Sequence, residues 1–252
     1  MQNRYGSLAS WVYHVDKPVG RSFGDIEFYL SRLEANQGPI LEPAVGNGRF
    51  FIPLLEAGHI AHGFDASQSM LDICKKELSS RGLADHVSQQ DFAGFHYRNT
   101  FSAAVMPAGS IQLITSSAEC LAFLKRIKRC LSPDGQLLVD LDSLACMHDP
   151  GPSVRMWELG DSTLTLTESR INTDYLSQTT TSVLKYEHWN SGQLVSSEME
   201  LFKLRLWGVD EFAALLHQAG FENVSITLDY ETPYIPPHEE GSANAITFEA
   251  SA

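Results

Sequence analysis

"ILEPAVGNGRF", residues 40–50, begins as a buried strand and ends in a form that no strand tolerates. Ile40 and Leu41 lead to an acid, Glu42, and to Pro43. Ala44, Gly46 and Gly48 then follow at every second position. Small residues at that spacing let a backbone approach a ligand closely. A helix placed after them offers unpaired N–H groups and the positive end of its dipole. The stretch therefore reads as strand, tight turn and helix, the helix starting near Gly48 with Pro53 tolerated close to its first turn.

The surrounding chain repeats that alternation. Residues 60–64 form a second apolar strand ended by Asp65, and Ser67 is placed to cap a helix carrying Met70, Leu71, Cys74 and Leu78 on one side. Residues 87–90 are a weak strand, 101–106 a stronger one, and 119–131 an amphipathic helix. The turn "SPDG" then feeds the β-rich run "QLLVDLD". Upstream, Ser22 and Asp25 have capping-box spacing ahead of Ile26, Phe28, Tyr29, Leu30 and Leu33 at helical intervals. Strand and helix alternating through residue 141 predict a parallel sheet covered on both faces.

Past Asp142 the pattern changes. Residues 153–206 are Thr-rich and alternate, as antiparallel half-exposed strands do. In "SEMELFKLRLW" the apolar phase slips between Leu201 and Phe202, which predicts a β-bulge there. A helix near 210–219 and strands near 224–229 and 245–249 return to the first pattern. The expected organisation is an N-terminal lid segment (1–21), an α/β core (22–142), an antiparallel β insertion (143–206) and a completion of the core (207–252).

Composition excludes several classes. The chain of 252 residues carries a formal charge of −13, which argues against a nucleic-acid partner. Its one basic cluster, Lys125, Arg126, Lys128 and Arg129, alternates with Leu121, Leu124, Ile127 and Leu131 and reads as the wet face of a helix. No apolar run approaches a membrane span, and the N-terminus lacks a signal-peptide pattern. The four cysteines form no CxxC pair and read as reduced thiols. The expectation is a soluble cytoplasmic protein.

In an open parallel sheet, ligands bind beyond the carboxyl ends of the strands. Asp65, ending the second strand, suits the two hydroxyls of a ribose. A dinucleotide fingerprint would need Gly where Phe51 stands, and a tripolyphosphate loop would need GK[ST], which is absent. Glu42 beside the turn repels pyrophosphate and suits a cationic amino-acid moiety. That combination points to S-adenosylmethionine.

At this point the chain resembles the class I S-adenosylmethionine-dependent methyltransferases of the small-molecule branch. Their first motif, hydrophobic–[DE]-x-G-x-G-x-G, is met by residues 41–48, with Ala44 in place of the first glycine. "GFDAS" meets the second acidic position at Asp65, and "QQDFAGF" meets the third with Asp91 and Phe92. "FSAAVMPAGSIQLI" resembles the loop that carries the donor on one side and the acceptor on the other.

The resemblance implies a Rossmann-like, doubly wound sheet of seven mostly parallel strands, interrupted after strand five by the antiparallel insertion. It implies S-adenosyl-L-methionine as cofactor, with Glu42 near the methionine moiety and Ala44, Gly46, Asn47 and Gly48 giving the turn. Asp65 is expected on the ribose, Ala66, Met70 and Phe92 around adenine, Asp91 on the adenine amino group, and Met106 beside the donor. A small-molecule methyl acceptor is expected near Trp11, Tyr13, Gly109 and Ser110. Tyr13 and His14 are the candidate bases, with His148, Tyr230 and His238 behind them. No ligand spacing suggests a metal. The insertion is expected to roof the pocket or to pair two subunits. The alternative is a protein of the same fold with other donor chemistry or a regulatory role without turnover.

Overall fold

The computed structural model describes residues 5–98, 100–148, 151–234 and 243–252. The chain opens with helices α1 (Ser7–Asp16) and α2 (Asp25–Leu33), followed by β1 (Ile40–Pro43), α3 (Phe51–Glu56), β2 (Ala61–Asp65), α4 (Gln68–Ser80) and β3 (Val87–Gln89). Next come β4 (Phe101–Met106), a 3-10 turn at Ser110–Leu113, α5 (Ser117–Cys130) and β5 (Leu131–Asp142). Four strands form the insertion: β6 (Ser153–Leu159), β7 (Ser162–Asp174), β8 (Thr179–Asn190) and β9 (Gln193–Arg205). Helix α6 (Val209–Ala219) and strands β10 (Glu222–Leu228), β11 (Thr232–Pro233) and β12 (Ala245–Ser251) close the chain.

The main sheet runs β3-β2-β1-β4-β5-β12-β10-β11. Strands β1 to β5 pair in parallel, and β12 is antiparallel to both β5 and β10. All seven expected strands are present, and the two-residue β11 is an added edge. Each β–α–β crossover places a helix on one face, so apolar residues bury on both sides. One core lies against α5 and α6, with Phe123, Leu124, Phe212 and Phe248. The other lies against α2, α3 and α4, with Tyr29, Phe51, Leu71 and Leu138.

Strands β6-β7-β8-β9 form a separate antiparallel sheet. Its inner face, Leu164, Leu166, Leu184 and Tyr186, buries against Leu8, Ala9 and Val12 of α1. The N-terminal segment is thus a helix with a packing partner of its own.

Three local expectations are corrected. The bulge is not at Leu201 and Phe202, which pair in register with Val183 and Ser182. It lies at Val195, between the pairs His188↔Ser196 and Trp189↔Leu194. Ser22 does not form a capping box with Asp25. The α2 N-cap is Gly24 at φ +95°, and the Asp25 carboxylate instead accepts from Phe23 N–H at 3.0 Å and pairs with buried Arg49. Helix α3 starts at Phe51, since Gly48 at φ +86° cannot begin a right-handed turn. Ser67 does cap α4, accepting from Met70 N–H at 3.2 Å.

Candidate functional site

The β1 turn and the end of β2 are clasped together at the carboxyl edge of the sheet. Asp65 Oδ2 accepts the Gly46 N–H at 2.9 Å, and Oδ1 accepts the Ser67 N–H at 2.8 Å. Burial pushes the Asp65 carboxyl up from the ordinary aspartate range, while these backbone donors pull it back. The turn is tight enough that Ala44 sits at φ +58°, a left-handed conformation that costs an alanine roughly 1–2 kcal/mol. Gly46 has the same handedness, and a Cβ there would stand in open space. At Gly48 a Cβ would strike Cys74 Sγ and Ile52 Cδ1, both at 2.9 Å, so the helix can approach only without a side chain.

Glu42 is buried, and burial raises its carboxyl well above the usual range, with Arg49 acting in the opposite sense. Its Oε2 has no hydrogen-bond partner among the described residues. A buried carboxylate oxygen left unpaired is costly, so it marks a place for a donor from outside the chain.

A cavity of about 560 Å³ opens from this turn. Ala44, Asp65, Ala66, Asp91 and Phe92 line it, together with Tyr5, Ser67, Gln90, Leu113, Ile114 and Arg126. The first five were expected from sequence. Leu113 and Ile114 end the segment "FSAAVMPAGSIQLI", expected between donor and acceptor, although neither was singled out by itself. Asp91 is exposed, with Oδ1 accepting from Gly94 N–H at 2.6 Å. The Phe92 ring meets Phe64 and Phe123 edge-on.

Other expected residues lie elsewhere. Met70 and Met106 are buried in the core, and neither they nor Glu42, Gly46, Asn47 and Gly48 are among the residues that line the cavity. The Asn47 side chain is spent on structure: its Nδ2 donates to Lys17 O at 2.9 Å and approaches His14 Nδ1 at 3.1 Å, while Oδ1 accepts from Arg49 N–H. His14 is held on its other nitrogen by Glu77, 3.6 Å away. Tyr230 donates to Asp140 at 2.9 Å, and His148 ends an exposed 3-10 turn. His238 lies outside the described residues. Trp11 faces the insertion sheet, its ring 4.9 Å from His188.

A second, smaller cavity of about 170 Å³ lies between α1 and the insertion sheet. Tyr5, Tyr13, Asp16 and Lys17 line one side, and Arg155, Glu168, Tyr186 and Phe202 the other. Arg155 donates to Asp16 Oδ2 at 2.6 Å. Tyr5 borders both cavities and packs edge-on against Tyr13 and Phe202.

Gly109 and Ser110 of the loop after β4, expected near the acceptor, line neither of these two cavities. Ala108 and Gly109 both adopt positive φ, +55° and +67°. Ala108 is fixed there by Asp140, whose Oδ2 accepts its N–H at 2.9 Å. Tyr230 shares that oxygen, while Tyr29 and Thr247 donate to Oδ1 at 2.8 and 2.7 Å. Burial raises the Asp140 carboxyl to about 6 against the pull of these four donors. Ser110 turns its hydroxyl back to Pro107 O. Among the described residues no group of three His, Cys, Asp or Glu side chains is placed to hold a metal, and no helix is long and apolar enough to cross a membrane.

Comparison with known proteins places this geometry in context. The methyltransferase-domain family profile matches residues 40–135. YqeM of Bacillus subtilis (strain 168), provisionally named a methyltransferase, is 26% identical over 196 residues, covering 77% of each chain. An S-adenosylmethionine-dependent methyltransferase from Clostridium acetobutylicum ATCC 824 shares the fold at TM-score 0.77 and 15% identity over 96% of both chains. The sugar N-methyltransferase KedS8 from Streptoalloteichus sp ATCC 53650 does so at 0.75 and 17%, over 98% of this chain and 94% of its own. CalS10 from Micromonospora echinaspora, an amino pentose methyltransferase with S-adenosylmethionine bound, does so at 0.71 and 16%, over 100% and 99%.

Proposed function

We propose that the chain, whose residues 40–135 match the methyltransferase-domain profile, is a class I S-adenosylmethionine-dependent enzyme that methylates a nitrogen or oxygen of a small molecule. The observation that carries the donor assignment is Glu42 Oε2, a buried carboxylate oxygen without a partner among the described residues, beside a turn of left-handed residues. The ammonium of a methionine moiety supplies the missing donor. Asp65 has acceptor capacity left on both oxygens for a ribose diol, and Asp91 stands at the cavity rim for an exocyclic amine.

When bound, S-adenosylmethionine supplies a methyl group already activated on a sulfonium. The chain then has to orient the acceptor and exclude water, without a nucleophile of its own. Residues 22–142 and 207–252 hold the donor in this reading, while α1 and the insertion cover the acceptor. The cavity between α1 and the insertion, bordered by Tyr13 and joined to the larger one at Tyr5, is the acceptor pocket. Its volume suits a small molecule. The relatives named for sugars bear on the same class of acceptor, and nitrogen is the more natural choice because an amine needs little proton help. The cysteines are unpaired thiols, as suits the cytoplasm.

The test is incubation with donor labelled in its methyl group and a panel of amino sugars, amines and phenols. Label transferred to one class identifies the acceptor. Donor binding without transfer to any component of a metabolite extract would favour a regulatory protein of the same fold.

A further inference from the structure

The end of β5 holds a carboxylate that neither the fold nor the donor crevice uses. The backbone of Asp142 is clamped from both sides by Gln112, whose Nε2 donates to Asp142 O at 3.1 Å and whose Oε1 accepts from Asp142 N–H at 3.0 Å. Its side chain is half-buried, and among the described residues it makes no hydrogen bond and no ion pair. Burial raises its carboxyl above the ordinary range, with only the charge of Lys17 opposing the rise.

The direction of that carboxylate is set by Gly109. A Cβ at position 109 would lie 3.0 Å from Asp142 Oδ2 and 2.7 Å from Gln112 Oε1, at φ +67°. The β4 loop therefore comes against Asp142 with nothing but glycine backbone between them. Because β4 lies beside β1, that loop is also next to the Glu42–Gly48 turn. Lys17, whose charge reaches Asp142, borders the smaller cavity. The half-buried Asp142 carboxylate, without a partner among the described residues, has lone pairs free for a donor from outside the chain.

The geometry points to Asp142 as the acceptor-side anion of the site, facing the transferring methyl and accepting a hydrogen bond from the N–H or O–H of the acceptor. This rests on the donor reading above. Glu42 holds the amino-acid end of the donor, whereas Asp142 orients the acceptor's lone pair from the opposite side. It is a residue of specificity, since an acceptor without a hydrogen on the reacting atom leaves it unpaired.

Two ligands that differ by one methyl and one charge test this without a known acceptor. S-adenosylmethionine carries a sulfonium, and S-adenosylhomocysteine a neutral thioether. By calorimetry, Asp142→Asn is expected to weaken the first at least threefold and to leave the second unchanged. Glu158→Gln, which removes the same charge from an exposed strand position, is expected to change neither. On the unmutated protein, the Asp142 carboxyl resonance should titrate at lower pH in the sulfonium complex than in the thioether complex. Methylammonium added to the thioether complex should move that resonance more than the Glu158 resonance. Equal effects on both ligands, or a titration indifferent to the sulfonium, would overturn the assignment of Asp142. Failure of the unmutated protein to bind either ligand would instead overturn the donor reading beneath it.

Discussion

Asp65 and Gly46 are joined by a 2.9 Å hydrogen bond, so the carboxylate assigned to the ribose also holds the turn assigned to the methionine end. One side chain thus couples two halves of a single crevice. The first prediction follows from this double duty. Asp65→Ala removes two charge-assisted bonds to ligand, worth ~1.5–3 kcal/mol each, and frees the turn as well. Donor affinity should fall at least about tenfold. A dissociation constant unchanged by calorimetry would mean that Asp65 is only a clasp.

Asp140 gives a prediction about stability and pH. Asp140→Ala leaves two tyrosines, a threonine and the Ala108 N–H without their shared acceptor, at a cost of roughly 2–4 kcal/mol. In the folded chain its carboxyl is raised to about 6, against 3.8 ordinarily. Between those values the native state holds a proton that the unfolded chain has released. This group therefore favours the fold below about pH 4, and its contribution declines as pH rises through 6, by about 3 kcal/mol in all. Denaturant titrations from pH 4 to 7 should show that decline in the wild type and not in Asp140→Asn. Parallel pH profiles for the two proteins would contradict it.

Helix α1 is predicted to be a folded cover and not a mobile flap. Leu8, Ala9 and Val12 are buried against the insertion sheet. Leu8→Ala should cost roughly 2–4 kcal/mol, read as a lower melting temperature, with donor affinity little changed. Amides of α1 should be protected from hydrogen exchange without ligand. Rapid exchange that slows only when S-adenosylhomocysteine is added would restore the lid, in which the aromatic residues gain contacts on filling.

The Asn47 contact to His14 bears on the choice of base. His14 Nδ1 is occupied by Asn47 and its other nitrogen faces Glu77, so His14→Gln should retain turnover within about threefold in the labelled-donor assay. A loss of a hundredfold or more would return His14 to the chemistry.

The sequence made the donor edge legible because it is written locally. A strand ends in Glu42, small residues follow, and the next strand ends in Asp65 at the spacing of one β–α–β unit. Alternation gave away the insertion in the same manner. What stayed hidden depends on partners remote in the chain. Asp140 reads as one polar residue in "QLLVDLD", yet its donors come from positions 29, 108, 230 and 247. Asp142 matters only through Gly109 and Gln112, which no periodicity links to it. Trp11 was expected at the acceptor, but the face of α1 that carries it was decided by the insertion sheet, 177 residues away at His188. Capping at Ser22 failed as a reading because Arg49 claims Asp25 for a buried ion pair.

The central claim is that the crevice between the β1 turn, Asp65 and Asp91 is built for S-adenosylmethionine. Calorimetric titration of the purified protein with S-adenosylmethionine, S-adenosylhomocysteine and a nicotinamide dinucleotide tests it most directly. Saturable one-to-one binding of the first two, weakened at least tenfold by Glu42→Gln for the loss of its charge-assisted bond, is the predicted result. No heat with either adenosyl ligand, together with binding of the dinucleotide, would contradict it.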